Sequence, residues 1–157
     1  MISEKQLTKR ANWILAVAWM IVIFGFSHQT ADASDLMSSG IVDLVGGIIK
    51  RIVTMMTGGH VDPELTWLTF AIRKCAHAFL YAVLAVLVSR AICPDKIFSK
   101  KDFVIVLLIC ILYAASDEIH QLFLDGRSGE VRDVLIDGCG ACVGMIFNAE
   151  CRIKRIK

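Results

Sequence analysis

Four stretches of this chain are too long and too apolar to be the buried helices of a water-soluble domain of its size. The first, Trp13 to Phe26, holds neither a charge nor a proline, and with Ala11 and Ser27 to Gln29 it reaches the roughly 20 residues that cross a bilayer. The second runs from Trp67 to Val88 and is interrupted near its start by Arg73, Lys74 and His77. The third runs from Phe103 to Phe123, apolar through Ala115 and then abruptly polar; the fourth runs from Val134 to Phe147, broken only by Asp137 and glycines. Lipid offers the backbone no hydrogen-bond partners, so each run must satisfy its own amides and carbonyls as a helix. The expected architecture is an all-α, polytopic membrane bundle of four transmembrane helices, about residues 11–29, 67–89, 103–121 and 133–149. They form a single membrane domain over 1–157, because little chain remains for anything else.

Composition agrees. Of 157 residues 56% are hydrophobic and 20% charged, below the roughly 25% charged of soluble domains. Two prolines and the absence of long polar runs exclude a disordered or collagen-like chain. The net charge of +2, from 17 Lys plus Arg against 15 Asp plus Glu, carries no message until the charges are placed. Lys5, Lys9, Arg10, Arg90, Lys96, Lys100, Lys101, Arg152, Lys154, Arg155 and Lys157 all fall on one side of four spans. Lys50, Arg51, Arg73, Lys74, Arg127 and Arg132 fall on the other. The positive-inside rule then predicts a multi-pass cell-membrane protein with both termini in the cytoplasm. The cations of the tail suit topology and lipid headgroups rather than nucleic acid. A competing reading of the N-terminus is a signal peptide, since Lys9 and Arg10, the apolar stretch and Ala31-Asp32-Ala33 have that pattern. It would leave three spans.

The connection over residues 30–66 is too long to be structureless. Ile41, Leu44, Val45, Ile48, Ile49, Ile52, Val53 and Met56 recur at helical spacing, and Asp43, Gly47, Lys50, Arg51 and Thr54 take other faces. The spacing predicts an amphipathic helix, lying in the membrane interface or packed on the bundle as a fifth helix, and ended by Gly58-Gly59 and Pro63. The six cysteines do not form a disulfide framework: Cys75, Cys110, Cys139 and Cys142 fall in spans, and Cys93 and Cys151 near their basic ends. Cys139-x-x-Cys142 is read as small-residue helix packing together with Gly138, Gly140 and Gly144, not as a zinc or redox motif.

With this topology the unusual polar residues gather at one membrane depth, on the outer side. Ser27, His28 and Gln29 end the first span, and Arg73, Lys74, His77 and Tyr81 occupy the outer half of the second. Ser116, Asp117, Glu118, His120 and Gln121 end the third, and Asp125, Arg127, Arg132, Asp133 and Asp137 lead into the fourth. Arg73, His77 and Tyr81 form one helical stripe, Asp117, His120 and Gln121 another with Glu118 beside it, and Asp133 and Asp137 an i, i+4 pair at a helix start. Residues 125–129 read as a tight turn setting Arg127 over the site. Ionisable residues in spans are costly and face a bundle interior or water, which makes them functional candidates. The inner halves, Ala82 to Val88 and Phe103 to Leu112, are apolar, which argues against a channel or proton-coupled transporter. His28 and His60 read as exposed loop histidines rather than ligands.

Phe26-Ser27-His28-Gln29, Arg73-Lys74-Cys75-Ala76-His77 with Tyr81, and Ser116-Asp117-Glu118-Ile119-His120-Gln121-Leu122-Phe123 stand with Gly126-Arg127-Ser128-Gly129, Arg132-Asp133-Val134-Leu135-Ile136-Asp137 and Gly140. Together, over about residues 13–147, these motifs resemble VanZ-like membrane proteins. The chain departs from the pattern at Leu80, where many members have Glu before the Tyr, so no acid role is carried to that position. The resemblance implies a small bacterial cell-envelope protein, in some members linked to teicoplanin or lipoglycopeptide resistance. It supplies no reaction.

Two kinds of function fit the residues. One is an outward-facing site that binds or processes an anionic envelope lipid or cell-wall precursor. There Arg73, Lys74, Arg127 and Arg132, with Tyr81, Gln121, Ser27 and Gln29, would hold the substrate. Glu118, His77, Asp117 and His120 would act as general acids and bases, and Asp117, Glu118, Asp133 and Asp137 as ligands if a divalent metal takes part. The other is a non-catalytic accessory or binding protein. Against both stands a purely structural role, in which pairs such as Arg73 with Glu118 and Arg132 with Asp117 hold the helix ends together.

Overall fold

A computed structural model of the chain describes residues 4–28, 31–57, 66–94, 98–124 and 129–156. Their regular structure is helical throughout: α1 (Glu4–Ser27), α2 (Ala31–Thr57), α3 (Thr66–Ile92), α4 (Lys100–Gln121) and α5 (Val131–Ile156). Four of these helices are long and apolar enough to cross a membrane, over Gln6–Ser27, Phe70–Ile92, Lys100–Gln121 and Val131–Arg152. The four expected spans are therefore present. α1 begins and α5 ends well beyond the apolar runs, because a helix keeps its backbone bonded to itself whether lipid or water surrounds it. α4 starts sharply instead, at a capping box: the Ser99 hydroxyl accepts from the Asp102 amide at 3.3 Å, and the Asp102 carboxylate accepts from the Ser99 amide at 3.0 Å.

The core is built on α3. Tyr81, Leu84, Ala85 and Val88 are wholly buried against Val106, Cys110 and Ala114 of α4, Ala141 and Met145 of α5, and Ala16 and Ile23 of α1. α5 lies so close to α3 that a side chain on Gly140 or Gly144 would overlap the backbone carbonyls of Ala78 and Ala82. That approach is the small-residue packing expected of membrane helices, whose association cannot draw on the hydrophobic effect. Two side chains add polar ties across the bundle. Trp19 donates its indole N–H to the Leu80 carbonyl at 2.9 Å, and the Tyr113 hydroxyl donates to the Met20 carbonyl at 2.6 Å. Outward-facing side chains are large and apolar, among them Ile14, Ile21, Phe79, Leu112, Leu135 and Ile146, as suits a protein whose solvent is lipid.

All six cysteines are free thiols. Cys93 and Cys110 are buried and Cys142 packs against the core, but Cys139 is exposed. Cys139 is thus not part of the small-residue contact, because it stands about 100° around the helix from Gly140.

The Asn12 side chain donates to the Arg90 carbonyl at 3.2 Å, and Arg152 donates to the Cys93 carbonyl. The start of α1 and the end of α5 therefore share one end of the bundle, the basic end. The opposite, polar end collects the C-termini of α1 and α4 and the N-termini of α3 and α5.

α2 is longer than the periodic segment seen in the sequence and opens at Ala31-Asp32-Ala33. It packs on α3, burying Val42 and Gly46, while Ile41, Leu44, Ile48, Ile52 and Met55 form an adjacent exposed apolar stripe. The helix packed on the bundle is therefore the arrangement seen, with an amphipathic pattern as expected. Gly58-Gly59, His60 and Pro63 lie outside the described residues.

The packing makes a direct prediction. Gly144→Ala places a methyl group on the Ala82 carbonyl and is expected to cost about 1–3 kcal/mol, as overpacked cores do. Thermal unfolding in detergent would show a lowered midpoint. Gly47→Ala on α2, where nothing lies within 4 Å of the added carbon, should leave the midpoint unchanged or raise it.

Candidate functional site

At the polar end three helices present charge toward one another. α3 carries Arg73 and Lys74 side by side, His77 one turn deeper and the buried Tyr81 one turn below that, and α5 answers with Asp133 and Asp137 one turn apart. Lys74 forms an ion pair with Asp133, both side chains being largely buried, at 18% and 14% exposed. One turn deeper, His77 Nδ1 lies 3.9 Å from an oxygen of Asp137, whose side chain is 1% exposed. That distance is an electrostatic contact, too long for a hydrogen bond.

α4 supplies Asp117, Glu118 and Gln121, all buried. Glu118 accepts a hydrogen bond from the Glu130 amide at 2.9 Å, just ahead of α5. The chain can pass there because residue 129 is glycine: a side chain would come within 2.8 Å of the Glu118 carbonyl. Gln121 donates to the Ser27 hydroxyl at 2.8 Å, closing the end of α1 onto α4.

Asp137 lies within electrostatic range of Glu118, Asp117, Asp133 and Lys74, and Tyr81 within range of Asp117 and Asp137. The site is therefore one cluster. The Tyr81 hydroxyl, both carboxylate oxygens of Asp137 and one of Glu118 are buried without a hydrogen bond to any described residue. Buried polar atoms are nearly always bonded, so these four set the cluster apart from a fully bonded one.

Asp117, Glu118, Asp133 and Asp137 offer the oxygen donors that hard divalent cations take. Among the described residues, however, no three His, Cys, Asp or Glu side chains are disposed to hold a metal ion. The chemistry of the donor set fits such an ion and its arrangement does not, so no step is derived through a metal.

Several placements were not visible in the residue order. His120 turns toward α1, where it packs on Phe24 with ring centroids 4.7 Å apart and its Nε2 lies 3.1 Å from Nδ1 of His28. His28 is exposed, as expected, but it follows directly on α1 and belongs to this aromatic stack rather than to a free loop. Arg132 pairs with Glu130 at 2.6 Å rather than with Asp117, since both lie where the chain enters α5. Phe70 was not singled out by charge or motif, yet its ring underlies Lys74 and Arg132 at 5.1 and 5.0 Å. Its position one turn before Lys74 is the signal that could have found it. Arg73 is half-buried on the face that begins this stripe. Gln29, Asp125, Gly126, Arg127 and Ser128 lie outside the described residues.

The cluster can do two things chemically. Its Lys and Arg donors, in a low-dielectric setting, can hold phosphate or carboxylate. Its buried carboxylates beside His77 and Tyr81 can move a proton to or from a bound group.

A family model described as VanZ/LLP1 matches residues 12–150 of the chain. Searches of the curated proteins and of the solved structures give no significant match.

Removing Lys74 strands Asp133 in a largely buried setting. Lys74→Ala is expected to destabilise the protein by about 3 kcal/mol, the lower end for broken buried pairs. The double variant Lys74→Met with Asp133→Leu should recover most of the loss. A double-mutant cycle read by thermal unfolding checks this, and a double variant as unstable as the single would contradict the pairing.

Proposed function

The chain belongs to the VanZ/LLP1 family, and from that membership and the charged end of its bundle we propose that it is a cell-envelope membrane protein with an outward-facing site. The site binds or processes an anionic envelope lipid or cell-wall precursor. One observation carries the reading. Tyr81, Glu118 and Asp137 bring buried polar atoms without a hydrogen bond to any described residue into a single cluster that also contains Lys74 and His77.

In this reading Arg73, Lys74 and Arg132, with Arg127, hold the anionic group. Ser27, Gln29 and Gln121 edge the site, and Tyr81 orients the bound group. His77, Asp117 and Glu118 are the acid and base candidates, with His120 at the margin toward α1. The basic end faces the cytoplasm in this reading, which the excess of Lys and Arg there supports. Contribution to teicoplanin or lipoglycopeptide resistance is the physiological outcome the family resemblance suggests.

A non-catalytic accessory role is the second reading, and it too has an observation behind it. Lys74 with Asp133, His77 with Asp137, Glu118 with the Glu130 amide and Gln121 with Ser27 each join two different elements at this end. Such ties need no substrate.

The protein in nanodiscs, given phosphatidylglycerol or a lipid-linked cell-wall precursor with and without divalent cations, separates the two. Catalysis predicts turnover that falls about 100-fold or more in Glu118→Gln and in His77→Ala but not in Gly47→Ala. Stoichiometric binding without product supports the accessory role. Alanine variants of Arg73 and Glu118 that fail to fold would favour a purely structural cluster. A C-terminal reporter active only in the cytoplasm is expected to be active, and an inactive fusion would reverse the orientation.

A further inference from the structure

We propose that the surface groove between α3 and α5 seats one acyl chain of an anionic phospholipid, with the lipid phosphate held above it by Lys74 and Arg132. This rests on the reading of the polar end as a site for an anionic envelope amphiphile, and it names the lipid class and the place of its tail. The groove has a volume of about 450 Å³, and its wholly apolar lining includes Ala78, Phe79, Ala82, Leu135, Cys139 and Val143. Its size is in the range of about 300–1,000 Å³ typical of ligand pockets.

The groove lies on the helices that carry the cations, further from their N-termini. On α3, Phe70, Lys74, Ala78 and Ala82 follow one another every four residues, so the groove wall lies directly below the cation. On α5, Leu135 follows Arg132 by three residues, and Cys139 and Val143 follow at every fourth. Small side chains on the α3 wall leave a trough, and the exposed Phe79, Leu135 and Val143 rise beside it.

The donors suit a phosphate. Phe70 holds both cations at the groove mouth. Lys74 has three N–H donors and gives one to Asp133, while Arg132 has five, gives one to Glu130 and is more than half exposed. Donors therefore remain for an anion on both side chains.

The groove lies within one leaflet. From Leu135 to Val143 α5 rises about 12 Å, within the roughly 15 Å of hydrocarbon in one leaflet. An acyl chain entering from the polar end lies along the groove for the upper part of its length and leaves its end in the surrounding lipid.

The test uses the full chain in phosphatidylcholine nanodiscs containing phosphatidylglycerol with a diazirine midway along one acyl chain. After photolysis, peptide mass spectrometry is expected to place adducts on residues 78–82 and 135–143, suppressed by unlabelled phosphatidylglycerol. Labelling should be about fivefold weaker in Arg132→Gln, as for loss of one lipid-facing cation. It should disappear in Val143→Trp and in Leu135→Trp, both at lipid-facing positions that leave the core intact. Labelling spread over every lipid-facing helix, equal labelling by a phosphatidylcholine probe, adducts that persist in both Trp variants, or stronger displacement by polyprenyl phosphate would each overturn the proposal. A preference for phosphatidylglycerol that is lost in Lys74→Gln but gives no groove adducts removes the groove alone. Loss of anionic-lipid preference in every arm removes the reading of the polar end with it.

Discussion

The close approach of α5 to α3 is the contact on which the rest of the structure depends. Membrane helices gain little from hiding apolar surface from one another, because lipid is as apolar as they are. What holds them is fit, and Gly140 and Gly144 let two backbones meet where any side chain would strike the carbonyls of Ala78 and Ala82. That contact fixes which turns of α3 and α5 lie side by side. Lys74 then meets Asp133, and His77 lies near Asp137, because the same register continues toward the polar end.

Charge at membrane depth has a second consequence. Isolated ionised groups in low dielectric are too costly to persist, so Lys74 and Asp133 are paired, and Glu118 is met by the Glu130 amide. The exceptions carry the functional argument. Asp137 and Tyr81 are buried in the same cluster with oxygens that no described residue bonds. The bundle is apolar around its circumference and polar at one end, and α2 lies against α3 with an apolar stripe facing away from it.

Much of this was legible in the residue order. Runs of about 20 apolar residues are visible because nothing else in a chain of this size requires them, and Arg73, Lys74, His77, Asp117, Glu118, Asp133 and Asp137 stood out because spans rarely contain such residues. The family resemblance rested on the same motifs, and the match over residues 12–150 agrees with it. The limits of α1 and α5 were less legible, since a helix does not stop where the apolar run does. Partners were the least legible of all. Helical spacing puts Asp117, His120 and Gln121 on one broad face, but it does not say that His120 turns to Phe24 and His28 while Gln121 reaches Ser27. Nor does it say that Phe70 underlies two cations, because an aromatic residue at a span's edge looks like any other.

By itself the sequence determined four spans, a basic end opposite a polar end, and the residue types gathered there. These follow from hydrophobic length and charge placement, properties that each segment carries alone. Only the tertiary structure decided which acid meets which base, which buried polar atoms no described residue bonds, and where a groove opens between α3 and α5. Those depend on the relative rotation and depth of α3, α4 and α5. Backbone contact at two glycines sets that geometry for α3 and α5, and no single segment encodes it.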